Sequence, residues 1–301
     1  MAETASPVLT VSKDPPLVRA APLVFVALWS TGFIAAKFGA PVAGPFSLLA
    51  LRMALVVPIL AGLSLLLGAE WPRGRAAVHA MVAGALIHGV YLGGIFWAVK
   101  HGLPAGLSGL VVGLQPVLTA LFARLLLGER LTGAHLAGLV LGLAGIALVL
   151  APKLTGIDSV DPVVAAVALG AVAAIAFGTV YSKRTGAGGA LVPGTALQFV
   201  GAALVVVPMA ASEGFAYVPS MQLALVTGWL VLVLSIGAVL LMLWLMRRGA
   251  VSSVATLFYL VPPTTAFFAW IAFGETLQPV QIVGTVLVVA AVRVATRKGK
   301  A

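Results

Sequence analysis

Apolar runs about twenty residues long, separated by short polar segments, recur along the whole chain. A helix crosses the hydrocarbon core of a bilayer with about 20 mostly apolar residues. Charged residues, glycines and prolines delimit ten such runs, at 19–37, 45–67, 76–99, 104–126, 132–151, 161–183, 191–211, 222–246, 251–273 and 278–296. The pattern predicts an all-α polytopic membrane protein. Its connections are short, so neighbouring helices are expected to be antiparallel, with no soluble domain between them. The segment 1–18 is polar, carries Pro7, Pro15 and Pro16, and lacks the basic-then-apolar order of a secretory signal. It is expected to be a disordered tail, with span 1 as an uncleaved membrane signal.

Composition strengthens this picture. Of the 301 residues 61% are hydrophobic and 9% charged, against roughly 25% charged in a soluble domain. A chain of this makeup cannot cover a water-facing surface with polar side chains. The absence of cysteine excludes disulfides and thiolate metal sites. The histidines have no ligand spacing and no HExxH occurs, so neither metal nor other cofactor is expected.

A net charge of +10 would suggest nucleic acid in a soluble protein, but here the basic residues alternate between sides of the predicted topology. Fourteen fall on one side: Lys13, Arg19, Arg73, Arg75, Arg124, Arg130, Lys183, Arg184, Arg247, Arg248, Arg293, Arg297, Lys298 and Lys300. Only Lys37, Lys100 and Lys153 fall on the other. Basic residues favour the cytoplasmic side. Both termini are therefore expected in the cytoplasm, with the lipid bilayer and a small molecule as partners and no nucleic acid. Oligomeric state is not legible.

The two halves match at a spacing of 146 residues. Leu114-Gln-Pro116-Val-Leu-Thr119-Ala-Leu-Phe122-Ala123 aligns with Leu260-Val-Pro262-Pro-Thr-Thr265-Ala-Phe-Phe268-Ala269, and Gly128-Glu129-Arg-Leu131 with Gly274-Glu275-Thr-Leu277. From Leu114 to Gly145, 13 of 32 positions are identical to their mates. Lipid enriches Leu and Ala everywhere, but it does not bring Gly-Glu-x-Leu and a helix-interrupting proline into register. The spacing carries five spans, an odd number, so the second copy is expected upside down. Inverted repeats with Gly/Pro-interrupted helices point to transporters with substrate near the midplane. The expected organisation is a tail at 1–18, a five-helix repeat at 19–151, a connecting loop at 152–160, an inverted repeat at 161–296 and a C-terminal tail at 297–301.

Trp29-Ser-Thr-Gly-Phe-Ile-Ala-Ala-Lys37, Leu51-Arg52-Met53 and the paired Gly-Glu-x-Leu resemble the drug/metabolite transporter superfamily. The resemblance runs from about residue 20 to 297 and is strongest to its EamA-type bacterial exporters, including amino-acid exporters of the YddG kind. It implies ten helices in two inverted five-helix repeats around a central cavity. It further implies that helices 1, 3 and 4 and their mates 6, 8 and 9 line that cavity, and that small metabolites, amino acids foremost, are exported.

Candidate site residues emerge from depth. All eight acidic residues (Glu3, Asp14, Glu70, Glu129, Asp158, Asp161, Glu213 and Glu275) lie at or beyond span ends, so a midplane carboxylate relay has no residue. Arg52 lies about seven residues into span 2. It either snorkels to the headgroups or makes a structural ion pair, or it gates and recognises substrate. Lys37 has the same two readings; Glu129 and Glu275 are repeat-related gating or structural charges. Trp29 is mid-span, unlike the other tryptophans, and is either a packing residue or a cavity-wall aromatic. His88 and Tyr91, three residues apart, share a helix face. The histidine is either bonded across helices or engaged in substrate recognition or proton exchange. Gln115 and Tyr259 precede Pro116 and Pro262-Pro263, where interrupted helices expose backbone carbonyls halfway across. These prolines are candidate hinges. Trp29, His88, Tyr91, Gln115 and Tyr259 together are expected to bound the cavity. No acid, base and nucleophile are linked by a motif, so catalysis is not expected; export of drugs or purines is the alternative, with an intramembrane lipid-acting enzyme or scramblase more remote.

Overall fold

The structure, a computed structural model, describes residues 16–103, 111–153, 160–187, 191–248, 251–274 and 278–295. It is all-helical there apart from a lone bridge between Ala43 and Tyr217. Ten helical segments succeed one another: α1 (Pro16–Gly39), α2 (Pro45–Leu66), α3 (Arg75–Lys100), α4 (Gln115–Leu127), α5 (Gly133–Leu150), α6 (Pro162–Thr185), α7 (Leu191–Ser212), α8 (Met221–Arg248), α9 (251–273) and α10 (Pro279–Ala295). Six of these, α2, α3, α5, α6, α7 and α8, are long and apolar enough to cross a membrane. The apolar stretches Ala20–Gly32, Gln115–Leu127, Thr256–Ala272 and Pro279–Val294 are shorter.

Local chemistry sets the ends. Thr132 caps α5 by accepting from the His135 N–H at 3.1 Å. Asp161 accepts from the Val163 N–H at 2.7 Å ahead of Pro162, where a missing N–H costs nothing. Gly128 and Gly274 end α4 and α9 at φ of 69° and 67°, a left-handed conformation that favours glycine.

The interrupted helices change their winding next to the prolines. Residues 113–114 form a turn and α4 begins at Gln115, with Pro116 in its first turn. In α9 a 3₁₀ turn over Thr256–Leu260 precedes Val261, and Pro262 again falls in the first turn of the α-helical stretch Val261–Phe273. Both prolines thus start a half-helix, where they displace no hydrogen bond. The part of span 4 at 104–110 lies outside the described residues.

Helix boundaries recur at the 146-residue offset. Shifted by it, the bounds of α1 become those of α6, those of α2 become those of α7, and those of α4 become Val261–Phe273 within α9. Leu114 (φ −74°, ψ −14°) and its mate Leu260 (φ −76°, ψ −15°) share a conformation. Even the π-helical stretch Ala85–Val90 of α3 maps into the π-helical stretch Trp229–Ala238 of α8.

Packing obeys the same exchange. Helix α5 lies along α10 and α2 along α7, each pairing joining mates. Contacts of α3 with α6 are matched by α8 with α1, those of α4 with α6 by α9 with α1, and those of α3 with α7 by α8 with α2. Glycine lets backbones approach where apolar bulk would not. A Cβ at Gly284 would lie 2.7 Å from the Gly145 carbonyl oxygen, where α5 crosses α10. The α3–α7 contact is closer: a Cβ at Gly84 would run into the Gln198 carbonyl oxygen, and one at Gly201 into that of Met81.

Candidate functional site

A cavity of about 100 Å³ opens between α1, α2, α3 and α8. Trp29, Arg52, His88, Tyr91, Leu230 and Leu234 line it together with other mainly aliphatic side chains. The π-helical stretches of α3 and α8 both border it, consistent with the placement of such turns at functional sites.

Trp29 presents one side to this space. The other is fixed by an aromatic cluster: Phe25 at 5.4 Å and Phe258 at 5.2 Å between ring centroids, with Phe25 and Phe258 in turn 5.4 Å apart. Phe258 comes from the 3₁₀ turn of α9, so the break in α9 backs the cavity wall. Next to Trp29 along α1, Ser30 reaches the same break, with its hydroxyl donating to Val26 O at 2.7 Å and to Val261 O at 3.4 Å.

Arg52 does not snorkel. Only 7% of it is exposed, and its Nε donates to the Ser235 hydroxyl of α8 at 2.7 Å. Ser235 donates in turn to Leu230 O at 2.9 Å, which fixes the acceptor. Among the described residues no carboxylate pairs with Arg52.

His88 is 2% exposed and stacks on Phe199 of α7 at 4.6 Å, nearly parallel. Its ring faces Gln198, yet neither His88 Nε2 nor either amide atom of Gln198 makes a hydrogen bond among the described residues. Sequence reasoning misses Gln198, the 146-residue mate of Arg52; a lone amide amid an apolar span is the available signal.

The structure separates the two remaining candidates from this space. Tyr259 is fully buried; its hydroxyl donates to Leu139 O of α5 at 3.1 Å, and its ring sits where a Cβ on Gly142 would come within 2.5 Å. Gln115 is buried at the start of α4, with Oε1 unpartnered among the described residues. Neither lines the cavity, and among the described residues its walls come from α2 in addition to α1, α3 and α8. Pro116, Pro262 and Pro263 lie with them at the helix breaks.

The charges at helix ends clasp one half to the other. Glu213 Oε2 accepts from the Ser47 N–H at 2.9 Å and the Ser47 hydroxyl at 3.0 Å, while Oε1 pairs with Lys100 Nζ at 3.4 Å. Beside it the Gly44 N–H donates to Ala216 O and the Val218 N–H to Val42 O, each at 2.8 Å. At the opposite end Glu129 Oε1 accepts from the Val251 N–H at 3.0 Å, again between halves, while the Lys183 ammonium donates to Met246 O within the second half. The sequence marks Glu213 only as a span-end acid. The side chain of Lys37 and all of Glu275 lie outside what the structure describes.

Comparison with known proteins places this geometry. The model of the EamA-like transporter family matches twice, over residues 20–151 and 163–297. A probable terminal-alkyne amino-acid exporter of Streptantibioticus cattleyicolor is 30% identical over 91% of this chain and 91% of its own length. The uncharacterized transporter YvbV of Bacillus subtilis is 31% identical over 66% of this chain and 65% of its own. The aromatic amino acid exporter YddG of Ancylobacter novellus is 38% identical over 44% of this chain and 45% of its own. One solved crystal structure superposes with a TM-score of 0.73 at 26% identity, covering 91% of this chain and 94% of that one. With both halves matched and the multi-pass helical bundle in place, the chain belongs to the EamA-like transporter family of the drug/metabolite transporter superfamily.

Proposed function

We propose that this protein exports small neutral metabolites, amino acids foremost, across a bacterial cytoplasmic membrane by alternating access. In this reading ten spans form two inverted five-helix repeats, 19–151 and 161–296, with both termini in the cytoplasm. The recurrence of helix bounds and of helix contacts at the 146-residue offset is the observation that carries it. Five spans per repeat make the exchange of halves an inversion, and the distribution of basic residues supports the orientation.

Inequality between mates supports the rocking. The cavity opens among α1, α2, α3 and α8, with α2 and α8 bridged across it by Arg52 and Ser235. The mated surfaces, α6 and α7 against α8 and α3, are closed where they meet α3. There Gly84 and Gly201 bring α3 and α7 into backbone contact, and a Cβ at Gly178 of α6 would meet Leu86 at 2.8 Å. Exchanging the open and closed pairings would carry the cavity to the other side of the membrane. In the predicted orientation the Glu213 clasp joins the outer ends of the two halves and the Glu129–Val251 contact joins the inner ones. Both sets are broken and remade by that exchange.

The substrate class rests on the walls and on the relatives. An apolar cavity with aromatic and few polar groups suits small amphiphiles, and two relatives carry names of amino-acid exporters. The test is counterflow in proteoliposomes: purified protein, vesicles preloaded with one unlabelled amino acid, and labelled amino acid outside. Saturable exchange of at least one neutral amino acid is expected. Absence of exchange for the whole neutral panel, with correctly folded protein, removes the substrate assignment.

A further inference from the structure

We infer that Arg52 forms a carboxylate-binding subsite in the cavity, so that the ligands taken are anions or zwitterions with an apolar side chain. The inference rests on the reading of this chain as a metabolite carrier and deepens it by naming the group recognised.

The guanidinium is held in place. Its Nε is spent on Ser235, whose hydroxyl is itself anchored on Leu230 O. The two terminal nitrogens make no hydrogen bond among the described residues, nor are they among the fully enclosed unpartnered atoms. They therefore open onto the cavity that Arg52 lines. This is the planar, two-donor edge of arginine that matches a carboxylate bidentately.

Charge balance points the same way. The described acidic residues, Glu70, Glu129, Asp161 and Glu213, lie at or beyond helix ends, and Glu213 is engaged by Ser47 and Lys100. An arginine with no counter-ion, in a wall made largely of Leu, Ile and aromatic side chains, is costly. A ligand carboxylate removes that cost on binding. The mate of Arg52 in the second half is Gln198, which is uncharged, so the repeat alone does not account for a cation at this depth. Trp29 and Tyr91 line the same cavity and are aromatic groups that can receive the ammonium of a zwitterion. Monocationic amphiphiles, which bring no anion, would be repelled.

The test compares three probes of one shape, phenylacetate, phenylacetamide and benzylamine, by thermal stabilisation of the detergent-purified full chain. Phenylacetate is expected to raise the melting temperature, with the amide and the amine doing so weakly or not at all. Arg52→Gln is expected to abolish the acid-specific shift, and Arg52→Lys to weaken apparent affinity about tenfold by losing the fork. Ser235→Ala keeps the charge, removes its orienting bond and is expected to weaken acid binding several-fold, so the inference stays testable if Arg52→Gln does not fold. Equal shifts from acid and amide, no shift from acid in the wild type, or an acid shift that survives Arg52→Gln would each overturn it. Acid binding without amino-acid exchange would sink the export reading alone. Exchange without acid preference would sink this inference alone.

Discussion

At the scale of residues, Trp29, Arg52, His88 and Tyr91 come from three helices and border one cavity. Spacing placed Trp29, His88 and Tyr91 at mid-span, and the structure puts all three on one cavity. It could not foretell that Arg52 would turn inward to Ser235, because that bond joins positions 183 residues apart. Tyr259 was displaced by a local effect: the 3₁₀ turn at Thr256–Leu260 advances each residue by more than an α-helix does, turning the ring onto Gly142. Trp29→Phe, which keeps an aromatic wall, is expected to raise the transport KM a few-fold with little change in melting temperature; both are read on one purified preparation. Two glycines make a sharper contrast. Gly84→Ala drives a methyl into the Gln198 backbone and is expected to cost about 1–3 kcal/mol or more through overpacking. Gly170→Ala, with nothing within 4 Å, is expected to be neutral or to stabilise by up to about 1 kcal/mol. Thermal melts of the two variants side by side check the difference.

At the scale of elements, the hydrophobic pattern locates the helices to within about three residues except at the start of span 4, part of which lies outside the described residues, because lipid enforces apolar runs of fixed length. What it missed is how helices are interrupted. Proline in a run reads as a kink, whereas Pro116 and Pro262 open new half-helices. The π stretches in α3 and α8 have no sequence signature at all, since any apolar residues accommodate them. The prolines yield a prediction that separates a helix start from a kink. Pro116→Ala and Pro262→Ala are expected to change stability by less than about 1 kcal/mol, as befits a first-turn position. A substituted proline acting as a hinge would instead show in the exchange rate, which is expected to fall while the melting temperature holds.

At the scale of the whole molecule, the 146-residue repeat in sequence becomes a repeat of bounds, dihedral angles and contacts. The clasp at Glu213 was invisible beforehand, since it ties Ser47 of α2, Lys100 of α3 and the α7–α8 loop, which are distant in sequence. Its presence at one end, with the Glu129–Val251 contact at the other, gives each face of the bundle an interhalf contact of its own. The central claim, inverted halves that open in turn, is tested most directly by paired cysteine accessibility. The chain has no cysteine, so single thiols need no altered background. Leu49→Cys and Thr195→Cys occupy mated positions, both buried, the first against the cavity and the second in α7. Each is labelled with an impermeant maleimide in oriented vesicles, with and without a transported amino acid. The account predicts that the thiol at 49 reacts from the outer side and the thiol at 195 from the inner side, with substrate shifting the two rates in opposite directions. Rates that move together, or two thiols reached from the same side, would contradict it.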